Sequence, residues 1–179
     1  ACGVSRTSLE NIAKAAGVTR GAVYWHFANK ADVFFALREQ ASVPLLNRLD
    51  GLLLAEGLAD PLEGIEQALN EFFRTLEEHP DVRQIFEIMA SRCEYVDEFA
   101  TVQAEVNKPA LEFLGKVEIA YRRARERGVL RPGLEPQTVA LDTWAFACGL
   151  FHHLLAGCPD EAWRRQIPEM IAAHIALRR

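Results

Sequence analysis

The chain has little of what breaks helices or cross-links a scaffold. Its 179 residues hold only 11 glycines and 8 prolines, and β-branched residues are sparse beside Ala, Leu, Glu and Arg, which favours helices joined by short loops. Four cysteines, Cys2, Cys93, Cys148 and Cys158, show neither the C-x-x-C pairing of a zinc site nor the density of a disulfide framework. They fit a reducing, cytoplasmic setting. No apolar run reaches the roughly 18 charge-free residues of a membrane span, because the longest, Val139 to Leu155, contains Asp142 and the pair His152-His153. No signal peptide and no membrane partner are expected. The H-E-x-x-H, G-x-S-x-G and phosphate-loop patterns are missing as well. The expectation is a protein that is no enzyme and needs no cofactor.

What is present is apolar mass and an uneven charge. Half of the side chains are hydrophobic, at 50%, enough for a substantial core, so the expected fold class is all-α. The net charge of −5 hides an asymmetry. Residues 1–30 hold Arg6, Lys14, Arg20 and Lys30 against Glu10 alone, which leaves 16 basic and 24 acidic side chains for the other residues. A basic head on an acidic body is a pattern that suits a nucleic-acid partner.

Within that head, Leu9, Ile12, Ala13 and Ala16 share one helical face behind Thr7 or Ser8 as N-cap, and Gly17 ends the helix. Thr19 caps a second short helix to about Phe27, with Val18, Ala22, Val23 and Phe27 expected inward. Two short helices about a glycine turn make a helix-turn-helix. Arg20, early in its second helix, can offer two parallel donors to a guanine edge, while Gly21 and Ala22 let that helix press close. Tyr24, His26 and Lys30 suit phosphates, as do the backbone N–H groups of the helices capped by Ser8 and Asn29. Trp25 would pack at the groove's rim. The candidate DNA-binding residues are therefore Ser8, Thr19, Arg20, Gly21, Ala22, Tyr24, Trp25, His26 and Lys30, acting on double-stranded DNA.

Beyond the head, Asn29 caps a long helix to about Leu54 that Pro44 should kink, with Val33, Phe34, Leu37 and Ala41 inward. Asp60-Pro61 opens a helix closed by His79-Pro80, another runs from Asp81 to Cys93, and one from about Asp97 to Gly128 is interrupted by Pro109. Pro136 opens a helix to Ala156 and Pro159 a last one to Arg179. The stretch from Val139 to Leu155 is apolar nearly all round, with Trp144, Phe146, Leu150, Phe151 and Leu154 on every side. A second subunit is the expected cover, which makes a homodimer.

The run from Thr7 to Lys30, T-S-L-E-N-I-A-K-A-A-G-V-T-R-G-A-V-Y-W-H-F-A-N-K, resembles the DNA-binding head of the TetR family of bacterial repressors, most of all the AcrR-type repressors of multidrug efflux pumps. Ile85-Phe86-Glu87-Ile88-Met89, followed by Arg92-Cys93-Glu94, is similar to the same group. The resemblance implies an N-terminal helix-turn-helix domain over residues 1–30 and a helical ligand-binding and dimerisation domain over residues 31–179. It also implies an Ω-shaped homodimer joined by the last two helices of each subunit, and an operator released by a hydrophobic small-molecule effector. By the same analogy the effector's cavity is lined by Leu69, Phe72, Phe86, Met89, Ala90, Cys93, Phe113, Val117, Cys148 and His152. Proteins of the family have a further helix ahead of the position of Thr7, where only Ala1 to Arg6 stand here, so N-terminal residues are expected to be missing. The alternative reading is a metal- or redox-sensing regulator, because Cys148 and His152 lie four apart on one helical face with Cys158 beyond. A third is a protein-interaction module that uses the head only to stay near DNA.

Overall fold

A computed structural model describes residues 4, 6–55, 57–93, 102–156 and 161–179. Among these the fold is all-α, with no strand. Helix α1 spans Leu9–Ala16, α2 Arg20–His26, α3 Lys30–Leu54, α4 Pro61–Glu78 and α5 Pro80–Glu87, which passes into a π-helical turn at Ile88–Arg92. Helix α6 spans Val102–Glu126, α7 Pro136–Leu155, α8 Glu161–Arg165 and α9 Ile167–Ala176. Cys2, Glu94, Asp97, Cys158 and Pro159 lie outside the described residues.

Side-chain caps start the first four helices, as their polar residues direct. Ser8 Oγ accepts from Asn11 N at 3.1 Å, Thr19 Oγ1 from Ala22 N at 3.2 Å, Asn29 Oδ1 from Asp32 N at 2.9 Å and Asp60 Oδ1 from Leu62 N at 2.9 Å. Asp32 in turn accepts from Ala28 N at 2.9 Å, which ties the incoming chain to the first turn of α3. Gly17 closes α1 at φ 69°, where a Cβ would be strained.

Three sequence expectations change. Helix α6 continues through Pro109 where an interruption was expected. Proline has no N–H for the carbonyl four residues back, and that orphan, Glu105 O, instead accepts from Arg38 Nη1 of α3 at 2.6 Å. The expected last helix is two helices, because Pro168 denies a continuous helix its hydrogen bond and the chain resets at Gln166. In the head, Val18 is 47% exposed and Ala22 is also exposed. A seven-residue α2 makes only two turns, so one side of it, through Val23 and Phe27, meets Leu9, Ala13 and Ile12 of α1 and Val33 of α3. Leu37 of α3 is likewise exposed.

Helix α4 is the central beam of the body and packs on α3, α6 and α9. Its Leu62, Ile65, Leu69, Phe73 and Leu76 meet Leu45, Leu49 and Leu53 of α3, Val117, Ala120 and Tyr121 of α6, and Ile167, Ile171 and Ile175 of α9. Each of the valine, leucine, isoleucine and phenylalanine side chains removed from water stabilises the fold by roughly 1.5–3 kcal/mol. One polar seam crosses this core: Tyr121 Oη and Thr143 Oγ1 are 2.7 Å apart, and Thr143 Oγ1 lies 3.1 Å from His174 Nε2. Arg178 Nη2 also faces His174 Nε2 at 3.0 Å and bonds the Asp142 carboxylate. A guanidinium can only donate, so Nε2 is an acceptor and His174 is neutral, with its ring stacked on Phe146 at 4.1 Å.

Burial, then the charge of Arg178, holds the His174 pKa below its ordinary value of 6.5, against the smaller opposite pull of Asp142. The unfolded chain therefore binds more protons than the folded one as pH falls below that value, and stability is lost in that direction. Urea midpoints should drop from pH 7 to pH 5, and His174→Gln should flatten part of that slope. Parallel slopes in parent and variant would remove His174 as a source of the effect.

Candidate functional site

The head presents Arg20, Tyr24 and Trp25 outward from α2. Trp25 is 86% exposed, and Tyr24 is exposed beside it. A neighbouring pair of exposed aromatics on so short a helix suits a binding surface. Arg20 lies 5.1 Å from the Tyr24 ring and pairs with Glu10 of α1, Nη1 to Oε1 at 2.6 Å. Both partners of that pair are exposed, so the pair is worth little and Arg20 can exchange it for another acceptor at small cost. Gly21, Ala22 and His26 are exposed on the same helix. The hydroxyls of Ser8 and Thr19 are engaged as caps, which leaves backbone N–H groups of the first turns to face an anion. Lys30 is half-buried and its Nζ donates to Val4 O at 3.4 Å, so it is less open than its place in the sequence implies.

A cavity of about 390 Å³ lies within the body between α3, α4, α5, the π-turn, α6 and α7. Phe72, Phe86 and Phe151 form a triangle of rings with centroids 5.8 to 5.9 Å apart, in edge-on and tilted contacts. Phe113 and Trp144 form a second pair at 6.4 Å. The widened turn at Ile88–Arg92 brings Met89 and Ala90 to the wall. Of the expected lining residues, Leu69, Phe72, Phe86, Met89, Ala90, Phe113 and Cys148 reach the cavity. Three do not. Val117 is buried in the main core one turn beyond Phe113, and Cys93 packs in an apolar cluster with Phe34, Met89 and Val102. His152 is exposed, because at about 100° per residue it falls outside the stripe shared by Trp144, Ala147, Cys148 and Phe151.

The wall also holds polar residues that the sequence reading missed: Arg38 and Ser42 of α3, and Gln103 and Asn107 of α6. A signal existed for the first two, since Phe34, Arg38, Ser42, Leu45 and Leu49 recur at three- and four-residue steps and put a charge on a buried face. Cys148 is exposed in the single chain, yet burial still pushes its thiol up, away from the reactive thiolate. Among the described residues no three His, Cys, Asp or Glu side chains converge as a metal group, and no helix is long and apolar enough to cross a membrane. Helix α7 keeps an uncovered strip of Leu141, Ala145, Cys148, Gly149 and His152 at helical spacing, with Leu141 52% exposed.

A helix-turn-helix with an exposed arginine and aromatics, on a helical body with an apolar pocket between its helices, defines a DNA-binding transcriptional regulator. Residues 2–37 match the family described as bacterial regulatory proteins, tetR family. The chain is 34% identical over 156 residues to the HTH-type transcriptional regulator TtgR of Pseudomonas putida, covering 86% of this chain and 72% of that protein. Its structure is similar, at TM-score 0.81 and 33% identity, to NalD, the secondary repressor of the MexAB-OprM multidrug efflux pump in Pseudomonas aeruginosa, over 98% of this chain and 86% of that one. It is also similar, at TM-score 0.72 and 32% identity, to SmeT in complex with triclosan, over 86% of this chain and 72% of that one. The chain belongs to the TetR family and resembles its AcrR-type members. It is a DNA-binding regulator and not an enzyme.

Proposed function

We propose that this chain is a homodimeric repressor of a multidrug efflux operon that leaves its operator when a hydrophobic small molecule enters the cavity. Residues 1–30 grip DNA and residues 31–179 bind the effector and the second subunit. The observation that supports release is the double placement of Met89 and Phe86. Both line the cavity, and both pack in the cluster that contains Phe34 and Ala31 at the start of α3, the helix that follows α2. A ligand that rearranges this wall therefore acts on the base of the head. The names of NalD, a repressor of an efflux pump, and of SmeT with bound triclosan support the reading for a chain this similar.

Two heads of such a dimer address half-sites about 34–36 Å apart, so a change of a few Å in their spacing loses register. The effector weakens operator binding only by its differential affinity for the two spacings. A mobility-shift assay with the DNA upstream of the chain's own gene, repeated with a panel of hydrophobic drugs, tests this. Retarded DNA released by at least one drug is expected; retardation that no drug alters would defeat the ligand-released reading.

Arg20 supplies a sharper check. Arg20→Ala should cost roughly 1–3 kcal/mol of operator affinity and relax preference at one base pair. Lys30→Ala should instead weaken all sequences alike and flatten the salt dependence. An Arg20 variant that lost the same affinity on operator and on random DNA would place Arg20 on the phosphates.

A further inference from the structure

We propose that the effector is an acidic amphipathic molecule, an aromatic or alicyclic body bearing one anionic head such as a carboxylate, sulfonate or phenolate, and that Arg38 receives the head. The inference rests on the cavity being the effector site. Arg38 enters from α3, and its side chain is only 15% exposed. Its guanidinium is oriented before any ligand arrives. Nη1 is fixed to the Glu105 carbonyl that Pro109 leaves without a helical donor, and the guanidinium lies 5.5 Å from the centre of the Phe35 ring.

The remaining donors are poorly used. Nε is buried and has no hydrogen-bond partner, and Nη2 is 3.9 Å from Glu39, an exposed carboxylate whose field water screens. Among the described residues of the cavity wall there is no carboxylate. Ser42, one turn along α3, and Gln103 and Asn107, on either side of Glu105 on α6, make the rest of the polar wall. The other described residues of the wall are aliphatic, aromatic or sulfur-bearing, around the Phe72, Phe86 and Phe151 triangle. Nη1 is engaged and Nε is shut off, so Nη2 is the donor left for a ligand, and a cation beside a mostly apolar wall favours an anion there. The volume of about 390 Å³ suits a body of two or three rings.

The test uses two fluorescent probes with one anilinonaphthalene body: 8-anilino-1-naphthalenesulfonate, which has the anionic head, and N-phenyl-1-naphthylamine, which lacks it. Titrated into the full chain, the sulfonate should bind about tenfold tighter or better, the range expected of a hydrogen-bonded charge. Arg38→Met should lose that preference and keep the affinity for the neutral probe. Since Arg38 also caps Glu105, the denaturation midpoint of Arg38→Met is measured in parallel. Arg38→Lys, which keeps a charge and a donor, should retain part of the preference. Equal affinities in the parent chain, or equal losses for both probes in Arg38→Met with the midpoint unchanged, would overturn the proposal. Ala147→Trp, which fills the cavity, separates the two levels: if both probes bind it as they bind the parent, the effector-site reading itself fails.

Discussion

Leu141→Glu is expected to yield a folded monomer whose operator affinity is at least about a hundredfold weaker than that of the parent chain. Leu141 is 52% exposed, so the substitution removes little buried surface from the single chain and should leave its denaturation profile intact. The uncovered strip on α7 runs from Leu141 through Ala145, Cys148 and Gly149 to His152. A two-fold interface apposes the same patch of both subunits, so one glutamate per chain places two carboxylates in one apolar seam. Removing such charges from water without cations opposite costs several kcal/mol, more than small-residue packing returns.

The effect on DNA is larger than the effect on assembly alone. Two tethered heads bind their half-sites at the effective concentration set by the dimer, and a lone head forgoes that advantage, commonly a factor of about 10² to 10⁴. Sedimentation velocity reads the first consequence and a mobility shift on the operator the second. A Leu141→Glu chain that sedimented as a dimer and held its operator as before would place the interface elsewhere.

The head was the most legible part of the sequence because its determinants are local. Ser8, Thr19 and Asn29 act on backbone N–H groups three residues away, so Thr19 and Asn29 could be assigned, and the first cap narrowed to Thr7 or Ser8, without knowing what the helix packs against. The body was legible where periodicity is strict, as along Leu62, Ile65, Leu69 and Leu76. It was opaque where one segment repairs another. Pro109 reads as a break until Arg38, 71 positions earlier in the sequence, supplies the donor for Glu105. The turn at Ile88–Arg92 widens with no proline or glycine in it. The cavity depended on rotation about α7, where about 40° separates Cys148 on the wall from His152 outside it. Apolar character marked which side chains avoid water, but it did not separate those that line a space from those that fill one.

Gly64→Ala should damage the body, against what its position in the sequence implies. Gly64 lies inside α4, where replacing glycine by alanine in a free helix gains about 0.8–1 kcal/mol. Here α4 crosses the last turn of α3, and a Cβ on Gly64 would stand 2.8 Å from Leu52 O and 3.2 Å from Leu58 Cδ1. A leucine methyl can swing aside; a main-chain carbonyl moves only with its helix. Separating α3 from α4 loosens the contacts of Leu49 and Leu53 with Leu62 and Ile65, and overpacking of this kind costs roughly 1–3 kcal/mol. The net result should be a loss, with Tm lower by about 2–4 °C for each kcal/mol in a chain of this size. Gly51→Ala in α3 is the matched control, because nothing lies within 4 Å of the Cβ it would add. That change should raise Tm. If both substitutions moved Tm upward, helix propensity would govern both sites, and the close crossing of α3 and α4 at Gly64 would have no energetic weight.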